Sequence, residues 1–330
     1  MQRIEFITDT HFDDHVTDAE HPEAPDRIRV LRERLTGPAW RTRLRCAAPR
    51  PAARAEVLRV HSDNYLLRLE ETCLSGREWF GHTDNKVCYE TYVTAFLAAG
   101  AGLTGIDLLE KDGKALPFCA VRPPGHHAEP ALALGFCFLN NVAVAARYWQ
   151  ERFGRRRIFI IDWDAHHGNG IQEIFEQDPE VLYVSIHEHP TFSFPGTGYA
   201  EDKGSGPGRG ATLNIPLAPG AGRNEVMQAI DRLVEPAITA FAPEAIIVAA
   251  GFDGHVLDDM SGLVYPTELY EELGKRMTQW ARRFCHGRLL TLLEGGYHLE
   301  ALAAGVEAYL TGILQNSTIG DDSPCTSPTI

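Results

Sequence analysis

The string I-D-W-D-A-H-H-G-N-G at 161–170 places Asp164 and His166 two residues apart, directly after a run of apolar residues. If that run is a strand, positions i and i+2 point to the same side of the chain. A carboxylate and an imidazole can then share one metal ion. Asp253, in A-G-F-D-G-H and again just past an apolar run, supplies a third ligand of the same kind. Two oxygens and one nitrogen leave a coordination position open to water and substrate, the arrangement of a catalytic rather than a structural zinc. Taken alone, Asp164 could cap the following helix and His166 could simply pack; Asp253 and the adjacent histidines tip the reading to a metal.

A second cluster, R-P-P-G-H-H at 122–127, presents His126 and His127 in a rigid Pro/Gly loop. Imidazole titrates near working pH, so the pair can move protons. Each ring needs an oriented partner, and Asp162 and Asn169, which flank the metal ligands, are the candidates. A third cluster, L-E-G-G-Y-H at 293–298, presents Tyr297 next to two glycines that allow close backbone approach. A phenol beside a metal-bound carbonyl would stabilise a developing oxyanion. Phe136, in G-F-C-F-L-N-N, and Phe194, in F-S-F-P-G-T-G, could wall a narrow apolar tunnel or belong to the core. Cys137 has no base of its own and reads as a buried thiol. The glycine-rich stretch 204–210 lacks a phosphate-loop lysine and reads as a mobile loop.

Positioning these groups requires strands. Candidate strands are 3–8, 118–122, 157–162, 181–187, 211–216, 245–251 and 289–294, and IFIID, LYVSI, AIIVAA and LLTLL are apolar throughout, as strands covered on both faces should be. Helical periodicity covers 25–35, 63–74, 90–109, 140–153, 224–241, 267–285 and 298–314. Strand and helix alternate from about residue 118 onward, which predicts a parallel α/β sheet. Ligands bind such sheets beyond the carboxyl ends of the strands. RPPGHH, WDAHHGNG, HEH, GFDGH and EGGYH each follow a candidate strand, so one active edge accounts for all of them. Residues 1–315 read as one catalytic domain and 316–330 as a disordered tail.

The 330 residues are 44% hydrophobic and 23% charged, and 31 basic against 45 acidic residues give a formal charge of −14. Disorder, collagen and coiled coil are excluded, and the sign of the charge speaks against nucleic acid. Acidity favours a cationic substrate. Seven scattered cysteines with no C-x-x-C pair read as reduced, buried thiols of a cytoplasmic protein. No signal peptide is recognisable and no apolar run is expected to span a membrane.

Taken together, HPEAPDRI, RPPGHH, GFCFLNN, DWDAHHGNG, FPGTG, LNIPL, AGFD and LEGGY, in this order over most of 1–315, resemble the histone deacetylase superfamily. That resemblance implies an arginase-like three-layer α/β/α fold with a single parallel sheet of about eight strands. It implies zinc held by Asp164, His166 and Asp253. His126 would be oriented by Asp162 and His127 by Asn169, with Tyr297 polarising the carbonyl. Phe136, Phe194 and Gly135 would border the acyl tunnel, Asp63 would hold the substrate backbone at the rim, and Arg27 would line an acetate exit. A structural potassium would use Asp162, Asp164, His166, Ser185 and Ile186, and a weaker cation site Phe175, Asp178 and Val181. Asn169 and LEGGY are similar to class II sequences of bacterial type. Met260, seven past Asp253, is apolar where a related polyamine deacetylase carries an acid, although Asp258 and Asp259 are adjacent. The implied partner is an acylated lysine peptide, or alternatively an acetylpolyamine or other small acylated amine; a homo-oligomer is compatible. A two-manganese ureohydrolase fits less well, since D-A-H-H-G replaces its D-A-H-x-D. A binding-only relative would have lost a ligand, a histidine or the tyrosine, and all six are present.

Overall fold

Uninterrupted aliphatic segments make the centre of the sheet. In the computed structural model, which describes residues 3–315, every residue of β4 (Ile158–Asp162), β5 (Val181–Glu188), β7 (Ala245–Ala250) and β8 (Leu289–Leu293) is buried. With β1 (Arg3–Ile7), β2 (Leu44–Ala47), β3 (Ala115–Cys119) and β6 (Thr212–Leu217) they form one sheet in the order β2-β1-β3-β8-β7-β4-β5-β6. All pairings are parallel, so both faces need helical cover.

That cover comes from α1 (Asp26–Thr36), α2 (Arg54–Val57), α3 (Asp63–Leu74), α4 (Thr91–Asp112), α5 (Asn141–Phe153), α6 (Asn169–Phe175), α7 (Arg223–Ala229), α8 (Glu235–Phe241), α9 (Thr267–Cys285) and α10 (Leu299–Gln315). Helices α4 and α5 pack on each other and on β1, β3, β7 and β8; α9 and α10 pack on each other, on α1 and on β1, β7 and β8. The result is three layers. Local signals set several boundaries. Ser62 accepts from Tyr65 N at the start of α3, Asn140 accepts from Ala143 N at the start of α5, and Gly154 ends α5 in the left-handed conformation.

Several expectations are corrected. Strand β3 runs 115–119 rather than 118–122, because Pro117 lies inside the strand opposite Glu5 instead of bounding it. The half-exposed edge strand β2 and the short helices α2 and α6 carry too little periodicity to be read. The segment expected as one helix over 224–241 is broken by a π turn at Ile230–Val234, which ends two residues before Pro236, a residue with no N–H to continue the ladder. Stretch 204–210 is not a free loop: Ser205 N–H donates to Glu176 O at 2.9 Å and Gly206–Gly208 forms a 3-10 turn. Helix α4 is long and apolar enough to cross a membrane, contrary to expectation, but 67% of its most apolar window is buried inside the fold. Of the cysteines among the described residues, all free, Cys46 is exposed and Cys88 half-buried, while Cys73, Cys119, Cys137 and Cys285 are buried. The expected tail 316–330 lies outside the described residues.

Candidate metal centre and active site

The middle five strands, β3-β8-β7-β4-β5, are contiguous, so groups at their carboxyl ends converge. Strand β4 ends at Asp162 and delivers Asp164 and His166. Asp253 follows β7, Tyr297 follows β8, and the histidine loop follows β3.

One ligand atom from each of Asp164, His166 and Asp253 lies within 4.8 Å of the others, and all three residues are buried. His166 Nδ1 is 3.1 Å from Asp164 Oδ1 and 3.0 Å from Asp253 Oδ2. Its other nitrogen, Nε2, donates to the Met260 carbonyl at 3.2 Å. That bond sets the tautomer and leaves the Nδ1 lone pair aimed at the carboxylates. Backbone donors hold the acids in place: Gly295 N to Asp164 Oδ2 at 2.7 Å and Ala165 N to Asp253 Oδ1 at 3.0 Å. Gly295 is required there, since a Cβ would lie 2.4 Å from Asp253 Oδ2 and 2.6 Å from Asp164 Oδ2. Burial and the Asp164 charge raise the Asp253 carboxyl, while Asp164 is held low against its own burial by His126 and His166. Two carboxylates and an imidazole with a fixed outer partner fit zinc.

Beside this group His126 Nδ1 lies 3.1 Å from Asp162 Oδ2, and His127 Nδ1 lies 2.8 Å from Asn169 Oδ1. Glu294 is fully buried at the base of the loop, and its Oε2 accepts from Gly125 N at 2.7 Å and His126 N at 3.0 Å. Burial pushes that carboxyl up to about 7.

A narrow pocket of about 80 Å³ leads in, lined by Asp84, His127, Gly135, Phe136, His166, Phe194, Met260 and Tyr297. Phe194 stands edge-on to His127 at 5.0 Å between centroids, and Phe136 edge-on to Tyr297 at 5.9 Å. Gly135 has φ +54, and a Cβ there would come within 2.2 Å of His127 Cδ2. Burial raises the Tyr297 hydroxyl well above its ordinary range, although the Arg27 guanidinium, 4.8 Å over the ring, opposes this. The phenol therefore keeps its proton for donation. Arg27 itself is fully buried and donates to Gly296 O at 2.7 Å and Glu294 O at 2.5 Å.

Not every sequence candidate lies at this pocket. Asp63 opens α3 with an exposed carboxylate paired to Arg54 at 2.7 Å, and the acid at the pocket is Asp84 instead. A helix N-terminus next to an arginine satisfies Asp63 locally. Asp84, by contrast, accepts from Gly135 N at 3.1 Å and so braces the tunnel loop. Asp258 is buried, with Oδ2 accepting from Tyr297 N at 2.6 Å and His298 N at 3.0 Å and Oδ1 from Met260 N at 3.2 Å; Asp259 is exposed. Ser185 is the registered partner of Asp162 in β5, and its hydroxyl bonds His187 Nδ1 at 2.7 Å. Phe175, Asp178 and Val181 form the turn from α6 into β5, where Asp178 pairs with Arg147. Asp84, Glu294 and Glu129, which touches Asn169, went unread in the sequence, and Asp258 was marked only as an acid beside Met260, not as the holder of the Tyr297 backbone. Glu129 and Glu294 lie within or beside the quoted strings and could have been singled out; nothing marks Asp84.

A family profile for the histone deacetylase domain matches residues 21–313. The histone deacetylase-like amidohydrolase of Pseudomonas aeruginosa is 37% identical over 84% of this chain and 73% of its own length. The polyamine deacetylase HDAC10 of Homo sapiens is 38% identical over 86% of this chain and 43% of its own. The crystal structure of the HDA15 HD domain superposes with a TM-score of 0.88 at 34% identity, covering 96% of this chain and 91% of that one.

Proposed function

Because the chain belongs to the histone deacetylase family, whose members hydrolyse acyl amides and depend on zinc, we propose that it removes an acetyl or similar acyl group from acylated lysine in proteins or peptides. The observation that carries this reading is the buried Asp164–His166–Asp253 group, with His127 and Tyr297 lining the same small pocket as His166.

Zinc held by these three residues supplies Lewis-acid chemistry, polarising an amide carbonyl and acidifying water. His127, neutral and donating Nδ1–H to Asn169, has its Nε2 lone pair available to take the proton of the attacking water. The same nitrogen can return that proton to the departing amine, since an amide nitrogen leaves poorly unless protonated. His126, with its Nδ1 3.1 Å from Asp162 Oδ2, lies against His127 and adds a second imidazole donor to the site. Tyr297 donates its hydroxyl to the oxygen where the oxyanion develops. The resemblance also carries a structural potassium at Asp162, Asp164, His166, Ser185 and Ile186, supported by the adjacency of Asp162, at the end of β4, and Ser185 within β5. The weaker site at Phe175, Asp178 and Val181 is proposed on the same footing.

The second reading is an acetylpolyamine or another small N-acyl amine. Asp84 at the pocket favours it, as an acid a cation could reach. Against it, Met260 is apolar and both oxygens of Asp258 are taken by backbone N–H groups. The deciding experiment is a matched panel with the zinc-loaded enzyme: acetyl-, trifluoroacetyl- and longer acyl-lysine peptides beside acetylputrescine and acetylspermidine. Higher kcat/KM on the peptides supports the reading, and preference for the polyamines overturns it.

A further inference from the structure

Asn169 is held from both ends. Its Oδ1 lies 2.8 Å from His127 Nδ1 and its Nδ2 lies 2.8 Å from Glu129 Oε1. The two ends of an amide are not equivalent, one being only an acceptor and the other only a donor. Were the amide reversed, its NH2 would face His127 Nδ1 and favour the tautomer with the proton on Nε2. A ring in that form could not accept a proton at Nε2. Among the described residues, the other acceptor near Nδ2 is the His127 carbonyl at 3.4 Å, too long to hold the amide by itself.

The carboxylate of Glu129 can only accept, so it excludes the reversed amide. A second carboxyl lies beside it: burial and then the Glu129 charge raise Glu173 to about 7. The set runs Glu173, Glu129, Asn169, His127, from the protein surface to the pocket.

We propose that Glu129 is a positioning residue that fixes the Asn169 amide and, through it, the Nδ1–H tautomer of His127. This rests on the reading of His127 as proton acceptor. It also predicts a sign change. An aspartate in place of Asn169 has an acceptor at either end and needs no orienting, and it would repel Glu129 at hydrogen-bond distance. Glu129 should thus help the wild-type enzyme and harm the Asn169→Asp variant.

The test uses the zinc-loaded full chain as wild type, Glu129→Ala, Asn169→Asp and the double variant. Expected for Glu129→Ala is kcat lower by about 10- to 100-fold with zinc content and KM little changed. The Nδ1–H signature of His127 in ¹⁵N-histidine spectra should weaken in Glu129→Ala and return in the double variant. Relative to Asn169→Asp alone, the double variant should have the higher kcat. Losses that multiply in the double variant, or an unaltered His127 tautomer in Glu129→Ala, overturn the proposal. The spectra need no turnover, so a wild type silent on every acyl substrate would sink the functional reading while leaving Glu129 to be judged by the tautomer.

Discussion

The imidazoles of His126 and His127 lie 3.9 Å apart between centroids, yet their surroundings drive them to opposite protonation states. Burial opposes charge on both. On His126 the carboxylates of Asp164 and Asp162 outweigh it and raise the ring to about 10. On His127 the positive neighbour His126 adds to burial, and the ring stays neutral, well below its ordinary range. Environments that push paired groups apart assign the roles: His127 accepts the proton and His126 supplies charge. His127→Ala should lower kcat by about 10²- to 10⁴-fold with zinc retained. Wild-type turnover in that variant would remove His127 from proton transfer.

Tyr297→Phe should keep one zinc per chain and lose about 10²- to 10³-fold in kcat, the cost of one oxyanion donor. Kinetics on an acetyl-lysine peptide, with metal analysis of the same sample, check both halves.

Asp258 should act through that tyrosine, because its Oδ2 holds the Tyr297 and His298 N–H groups. Asp258→Ala is expected to reduce kcat by up to about 100-fold through misplacement of the phenol. In a Tyr297→Phe background the same change should cost little more. Independent, multiplying losses would show that Asp258 serves only the fold.

Asp253→Ala should lose metal and activity together. Its carboxylate provides one of three ligand atoms and also holds Ala165 N at 3.0 Å, so both the centre and the β4 loop loosen. Equilibrium dialysis against zinc checks it; a variant still binding stoichiometric zinc breaks the ligand assignment.

Acid should destabilise the fold through neutral buried histidines. His61 accepts the Asn140 N–H at Nε2, and burial pushes it down to about 4; burial likewise lowers His15 and His167 to about 3 and His187 to about 4. Unfolded, each would titrate near its ordinary value of about 6.5. Between about pH 4 and 6.5 each of these histidines therefore binds more protons unfolded than folded, so their contribution to stability rises with pH and is lost on acidification, while Glu294, held up at about 7, contributes with the opposite sign. His61→Gln should reduce the slope of unfolding free energy against pH by about one proton in that window. An unchanged slope would exclude His61 as a source.

What the sequence alone determined is the chemistry and its placement on one edge. Continuously apolar strings marked β4, β5, β7 and β8, and the strand-end rule put Asp164, His166, Asp253, the histidine pair and Tyr297 together, because backbone periodicity and burial are local properties. The tertiary structure decided the neighbours. Gly295 reaches Asp164 across 131 positions and Met260 sets the His166 tautomer across 94, contacts created by strand order, which periodicity does not encode. The same cause moved the pocket acid from Asp63 to Asp84 and committed Asp258 to the backbone of Tyr297. A carboxylate's role depends on which donors surround it, and those donors come from loops brought together only when the sheet closes its order.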